Sequence, residues 1–434
     1  MNDRLSQRNL KWLGWGRILV GFGSVQMVIQ VLGFLTGILI VRHLTKPDYA
    51  WFTIANALVA TLGMIADSGV SSGLSSVGGQ IWQDSVRFGS LIRTALALRR
   101  KLAVVTVLVV TPVFIWLLIK NQAPAATIAV LVAAALAGFS FQLTTGILGI
   151  VISLRQEIHR MQGIGLAAAV LRLTLVALAC LIFFDVRVAV VIGVFGPGVQ
   201  SWLLRRWVKT SVDWNAPETA DYRKRILAVV KKQAPLTLFF CLQGQIVVWL
   251  ISIFGSNERV AEIGALGRFA MIFTVVSSVV NGIVVPRFAR TQDRNLLRRR
   301  YGQVVAGIAL LAGSLVVLSA IFPRPLLWVL GGRYANLEDA VWIMMLSAAL
   351  GAVFATQHAL TYSKAWIAPA IISIPMELVT LVILIQVLDM STVRGVLWLS
   401  CGSFIPQIGL NMIIARLNLR KDSPPTETGP GSCP

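Results

Sequence analysis

Apolar runs separated by short polar stretches fill this chain almost from end to end. A helix needs ~20 residues to cross a ~30 Å hydrocarbon core. By that measure about twelve spans emerge. They run near 18–41, 49–66, 102–119, 125–151, 164–183 and 187–204, then 234–253, 261–285, 303–321, 338–361, 366–388 and 393–416. Span 49–66 is short, and Gly196-Pro197-Gly198 interrupts 187–204. The pattern predicts an all-α polytopic membrane protein.

The longest basic stretch, Arg205 to Lys232, divides the spans six and six. An even number per half gives both halves one orientation, so they form a parallel repeat of two six-helix lobes related by a pseudo-two-fold axis along the membrane normal. The predicted units are 1–204, a linker at 205–232, a second lobe at 233–416 and a tail at 417–434. That tail is rich in Pro, Gly, Ser and Thr and is expected to be disordered. Each half opens with a tight hairpin, RHLTKPDY or GSNERVAE, and has a basic stretch before its third span, at 81–101 or 287–302. The stretch 81–101 is amphipathic and reads as a helix lying along the headgroup layer.

Composition supports the class: 56% hydrophobic residues, 13% charged, mean hydropathy +0.77. A net charge of +21 would point to nucleic acid if its placement did not explain it. With the N-terminus inside, roughly three quarters of the 39 Lys and Arg lie in cytoplasmic segments and about a fifth outside. Both termini are therefore expected in the cytoplasm, with basic loops facing anionic lipid headgroups. The N-terminal segment MNDRLSQRNLKWLGWGR is basic and lacks a cleavage site, so it reads as a cytoplasmic tail rather than a signal peptide. Cys180, Cys241 and Cys401 lie within spans and Cys433 in the tail, with no CxxC or Cys/His spacing for a metal. No DxD motif, Walker A loop or Gly-x-Ser-x-Gly elbow occurs, and no external loop is long enough for an enzyme domain. A transporter without a cofactor is expected, not an enzyme.

Charges inside the spans narrow the function. Arg172 sits in GIGLAAAVLRLTLVALACLIFF and Arg268 in AEIGALGRFAMIFTVVSSVVNGIVV. A charge at the bilayer centre costs about 3 kcal/mol on insertion scales, so such residues face a protein interior or watery cavity. Two arginines there point to a path for an anion. Glu377, two residues after Pro375, is the one carboxylate at comparable depth. It reads either as a salt-bridge partner of Arg172 or Arg268, or as a proton or cation site coupled to transport. Gln26 and Gln30 share a face of the first span, and Gln243 and Gln245 lie in the first span of the second half. These four, with Asn281, His358, Gln407 and Asn411, could line a cavity or form interhelical hydrogen bonds worth roughly 0.6–2 kcal/mol each. Pro235, Pro369, Pro375 and Pro406 mark kinks in the second half.

The chain resembles the polysaccharide (oligosaccharide-lipid) flippases of the multidrug/oligosaccharidyl-lipid/polysaccharide exporter superfamily. Arg42-His-Leu-Thr-Lys-Pro-Asp-Tyr49, followed by Phe52, is similar to that family's R-x-L-x-x-x-x-Y-G-x-F stretch, with Ala50 where glycine is usual. Asp67-Ser-Gly69, Ile263-Gly264, Pro286-Arg-Phe-Ala289 and Leu330-Gly331-Gly-Arg-Tyr334 are similar to its helix-end, hairpin and loop patterns. The resemblance implies a two-lobed transporter with a central cavity. Such a protein moves a polyprenyl-diphosphate-linked oligosaccharide across the bacterial inner membrane, alongside polysaccharide polymerase and export machinery. Arg172 and Arg268 would then contact the diphosphate, one from each lobe, through a planar fork that stays charged.

Three other classes compete. A drug or cation exporter of the same superfamily calls for cavity carboxylates. A major-facilitator carrier would show a Gly-Asp-Arg-rich loop after its second span, which DSGVSSGLSSVGGQ lacks. A non-transport subunit of a polysaccharide-synthesis complex would gain nothing from intramembrane charge. Charge placement also makes a topological prediction: cysteines at Lys120 and Arg324 should label from outside intact cells, and those at 205–232 should not. External labelling of 205–232 would overturn the orientation.

Overall fold

A computed structural model of the chain describes residues 25–420, apart from 156, 210, 211, 215, 290, 292, 365 and 367–369. The predicted N-terminal tail, Pro369 and the predicted C-terminal tail from 421 on lie outside the described residues; the tail's first residues, 417–420, are the last turn of a helix rather than disordered. Every regular element described is helical. The first half holds α1 (Val25–His43), α2 (Lys46–Asp67), α3 (Val70–Ile81), α4 (Ser85–Lys120), α5 (Ala125–Leu154), α6 (Ile158–Ile182) and α7 (Val186–Val208). The second holds α8 (Ala220–Phe254), α9 (Asn257–Val279), a π-helical turn (Val280–Val284), α10 (Val285–Ala289), α11 (Arg294–Ile321), α12 (Pro323–Leu330), a 3-10 turn (Gly332–Leu337), α13 (Glu338–Ser363), α14 (Ala370–Val387) and α15 (Val393–Arg420). Eleven helices among the described residues are long and apolar enough to cross a membrane, and Ile371–Val387 is a shorter apolar one. The protein is a multi-pass membrane protein.

Local chemistry sets the breaks. Thr45 caps α2 by accepting from the Asp48 amide at 3.3 Å, and Pro47 lies in the first turn, where its missing N–H costs nothing. Ser68 (φ 32°) and Gly69 (φ 95°) are both left-handed, so α2 ends and α3 begins at a new angle. Asp84 caps α4 through the Val86 and Arg87 amides, both at 3.1 Å.

The stretch 81–101 departs from expectation. From Ser85 it is the first half of α4, a continuous helix of 36 residues, rather than a separate helix in the headgroup layer. Phe88, Leu91, Ile92 and Ala95 are fully buried. Ser90 donates to the Pro217 carbonyl, and Arg93 donates to the Trp214 and Ala216 carbonyls at 3.0 Å. An amphipathic pattern fits a protein surface as well as a lipid one: here the apolar side packs on α3, α5 and the start of α8, and the polar side bonds to Trp214, Ala216 and Pro217.

Packing defines two halves that are joined at one end. In the first half α5 lies along α7, α2 against α4 and α5, and α6 against α7. In the second, α13 packs on α11, α15 and α9, and α14 packs on α15. Across the halves α2 contacts α8 and α9. The largest core cluster draws from both halves, mainly near the α1–α2, α4–α5, α6–α7, α8–α9, α12–α13 and α14–α15 turns: Leu44, Tyr49, Leu118, Val186, Ile251, Val260, Leu330 and Val393 belong to it. Toward the opposite end the core splits. One cluster joins Val70, Phe88, Leu148 and Leu204 to Ile226, and another joins Phe288, Leu297, Leu360 and Ala415 within the second half. The lobes thus share a large core at the hairpin end, while toward the other end the core divides and the start of α8 packs on α3 and α4 of the first half.

Close approach of α2 and α9 depends on Gly264. A Cβ there would come within 2.1 Å of Thr53 Oγ1. Gly264→Ala is predicted to destabilise the protein by about 1–3 kcal/mol through overpacking, read as a lower thermal midpoint in detergent micelles. A variant as stable as the parent would contradict the tight crossing.

Candidate functional site

The two intramembrane arginines come from different lobes and lie within electrostatic reach of one another. Arg268 lies eleven residues into α9 and Arg172 ten residues before the end of α6, placing each about 15–17 Å from the hairpin end at 1.5 Å per residue. Their guanidinium groups are close enough to repel one another. No carboxylate pairs with either among the described residues. Arg172 is half-buried, and its buried Nε makes no hydrogen bond among them.

Arg268 is held by its surroundings. Its Nε donates to the Tyr49 hydroxyl at 2.9 Å, and that hydroxyl donates to the Gly264 carbonyl at 3.1 Å. The guanidinium carbon lies 5.9 Å from the ring centroids of both Tyr49 and Phe52, within cation–π range. On α1, a Cβ at Gly37 would meet the Arg268 side chain at 3.1 Å, so glycine makes room for it. The same helix faces the other arginine's element, with Ile29 against Gly165 of α6. α1 therefore stands between α6 and α9.

The glutamines divide. Gln26 and Gln30 continue the face of α1 that carries Gly33 and Gly37, and both are half-buried. Gln243 instead donates to Glu377 Oε1 at 3.0 Å, while Gln407 of α15 donates to Oε2 at 2.9 Å. Gln245, two residues on, is turned about 200° from Gln243 around α8 and lies away from that cluster.

Glu377 is fully buried, and no arginine reaches it among the described residues. The expected salt bridge to Arg172 or Arg268 is thus replaced by two amides. The cause is placement: α14 packs on α15 and α8, so its carboxyl meets their glutamines rather than the arginines of α6 and α9. One centre lies between the lobes and another inside the second.

Sequence reasoning assigned no role to the residues that close the hairpin end. Lys46 pairs with the largely buried Glu262 at 3.2 Å, and Asn336 donates to the same oxygen at 3.2 Å. Arg42 donates to the Val329 and Trp328 carbonyls at 2.9 and 2.6 Å, in the last turn of α12, where a cation complements the helix C-terminus. Its guanidinium also lies 5.0 Å from the Trp328 ring centroid. Arg333 returns a bond to the Leu44 carbonyl. The signal was present in two quoted patterns: Arg42-to-Tyr49 from the first lobe closes against Gly331-to-Tyr334 from the second. A further pair, Asp67 with the buried Arg99 at 3.5 Å, ties α2 to α4.

No protein-family model and no curated protein sequence matches the chain. Solved structures do match it. An inward-facing multidrug resistance MATE family transporter of the MOP superfamily superimposes with a TM-score of 0.70 at 14% identity, over 92% of this chain and 98% of that one. An outward-facing one gives 0.55 at 15%, over 93% and 94%. A MOP superfamily transporter from Pyrococcus furiosus, described as having a binding pocket of reverse polarity, gives 0.51 at 15%, over 93% and 94%. The protein has the two-lobed helical fold of MATE transporters.

The hairpin-end ion pair invites a double-mutant cycle. Lys46→Met and Glu262→Gln should each lower thermal stability, with a coupling of about 0.5–3 kcal/mol between them. Additive losses would show that the pair does not hold the lobes together.

Proposed function

We propose that this protein exports a polyprenyl-diphosphate-linked oligosaccharide across the bacterial inner membrane by alternating access, for surface polysaccharide biosynthesis. The observation that carries this reading is the meeting of Arg172 and Arg268, one from each lobe, without a carboxylate between them. Like charges in a low dielectric repel unless water or an anion separates them. A diphosphate supplies several oxygens for two planar forks, and bridging the lobes would couple its position to theirs. The shape is consistent with the cytoplasm-facing state: the largest core joins the lobes at the hairpin end, and at the other end the core divides, bridged by the start of α8 on α3 and α4. The TM-score is also higher against the inward-facing relative than the outward-facing one.

Multidrug export is the second reading, favoured by the names of the fold neighbours. A cationic drug would need an accessible carboxylate, and Glu377 is fully buried between two amides. Glu377 fits energy coupling better. A carboxyl whose proton occupancy differs between the two lobe arrangements could drive them, since one pKa unit is worth about 1.4 kcal/mol. Pro375 kinks α14 beside it. Anionic lipids would contact the basic cytoplasmic loops, and polymerase and export machinery would receive the product.

Two tests follow. Alanine at Arg172 and Arg268 should abolish export at normal protein levels, and lysine should rescue only in part, because a point charge lacks the bidentate fork. A fully active double alanine variant would refute diphosphate recognition. In proteoliposomes with an imposed proton or sodium gradient, Glu377→Gln should bind substrate yet lose its response to the gradient. A parent-like response would reduce Glu377 to a packing role.

A further inference from the structure

Beyond the arginine pair, the facing sides of α1 and α9 carry polar chemistry that anion recognition does not use. Gln26, Gln30, Gly33 and Gly37 recur at four-, three- and four-residue spacing and share one face of α1. That face is turned to α9: Gly37 lies against Arg268, and a Cβ at Gly33 would meet Met271 at 3.8 Å. The helices run antiparallel, so Gln30 and Gln26 come level with the stretch of α9 that follows Met271. There Thr274, Ser278 and Asn281 continue the Met271 face, with Thr274 and Asn281 exposed. Asn281 falls in the π-helical turn Val280–Val284, a feature that recurs at functional sites.

The donors and acceptors on this surface have a definite balance. Thr274 donates to the Met271 carbonyl at 2.6 Å, Ser278 to the Thr274 carbonyl at 2.8 Å, and Asn281 to the Ser277 carbonyl at 2.9 Å. Each thereby spends a proton on its own helix and keeps an oxygen free to accept. The primary amides of Gln26 and Gln30 make no hydrogen bond among the described residues, and each can donate and accept. None of the five is charged or aromatic. Such a lining suits neither a cationic drug nor a lipid tail; it suits a ligand dense in uncharged hydroxyls.

We infer that Gln26, Gln30, Thr274, Ser278 and Asn281 form a carbohydrate track that runs from the arginine pair toward the open end and holds the first sugars after the diphosphate. This rests on the reading of Arg172 and Arg268 as the diphosphate site. The track then sets specificity, rewarding a glycan on the diphosphate where the arginines register only the anion.

The test uses the full-length protein in lipid nanodiscs and two probes: farnesyl diphosphate, and farnesyl diphosphate carrying a disaccharide of N-acetylglucosamine. The parent should bind the sugar-bearing probe about tenfold more tightly, the scale of one or two hydrogen bonds. Combining Gln30→Leu, Thr274→Val and Asn281→Leu should erase that ratio while leaving affinity for the bare diphosphate within about twofold of the parent. The conservative set Thr274→Ser with Asn281→Gln should retain preference for the sugar, which separates lost contacts from lost folding. Arg172→Ala with Arg268→Ala should weaken both probes alike. A parent that does not distinguish the probes, or a leucine–valine variant that still does, overturns the track alone. If neither probe binds the parent, the arginine reading fails and the track with it.

Discussion

Two arginines from opposite lobes, Arg172 and Arg268, lie within electrostatic reach of one another inside the spans, and the rest of the architecture can be read from that constraint. An isolated charge in hydrocarbon is costly, and a like-charged pair more so. Stability at such a place needs aromatic faces, hydrogen-bond acceptors and access for water or an anion. The fold supplies the first two at Arg268. Tyr49 and Phe52 give Arg268 two ring faces, the Tyr49 hydroxyl relays its bond to a backbone carbonyl, and Gly37 clears space on α1. Arg172 has less support, with its Nε unbonded among the described residues. That asymmetry leaves one arginine braced and the other available to a ligand.

The hairpin end and the open end have opposite characters, and the braced arginine belongs to the former. Tyr49 bonds both Arg268 and the Gly264 carbonyl, so Arg268 is wired directly into the α2–α9 crossing. The same hairpin carries Arg42 and Lys46, whose bonds reach α12 and Glu262 across the lobe boundary. An anion that changed the balance of charge at Arg268 would therefore act on the contacts that keep the lobes shut. Glu377 lies apart, inside the second lobe among α8, α14 and α15. It can influence lobe shape through α8, which also contacts α2.

Much of this was legible in the sequence because a membrane penalises exceptions. Apolar runs long enough to cross had to be spans, and arginines within them had to be interior. What escaped was whatever depended on three-dimensional neighbours. The 81–101 stretch was rightly seen as two-faced, but only its neighbours α3, α5 and α8 reveal that protein covers its apolar side. Glu377 stood out by depth alone, yet an amide and an arginine are equally good partners on paper. Gln243 and Gln245 were grouped by the span they share, whereas only Gln243 reaches Glu377 and the helix turns Gln245 away. The interlobe latch was visible as two short patterns without a mechanism, since neither says that it meets the other.

A structure determined with a polyprenyl diphosphate bound tests the central claim most directly. The account predicts phosphorus density between the guanidinium groups of Arg172 and Arg268, each bonded to diphosphate oxygens from its own lobe. Density seated elsewhere, with the two arginines facing one another unchanged or turned to a carboxylate, would contradict it.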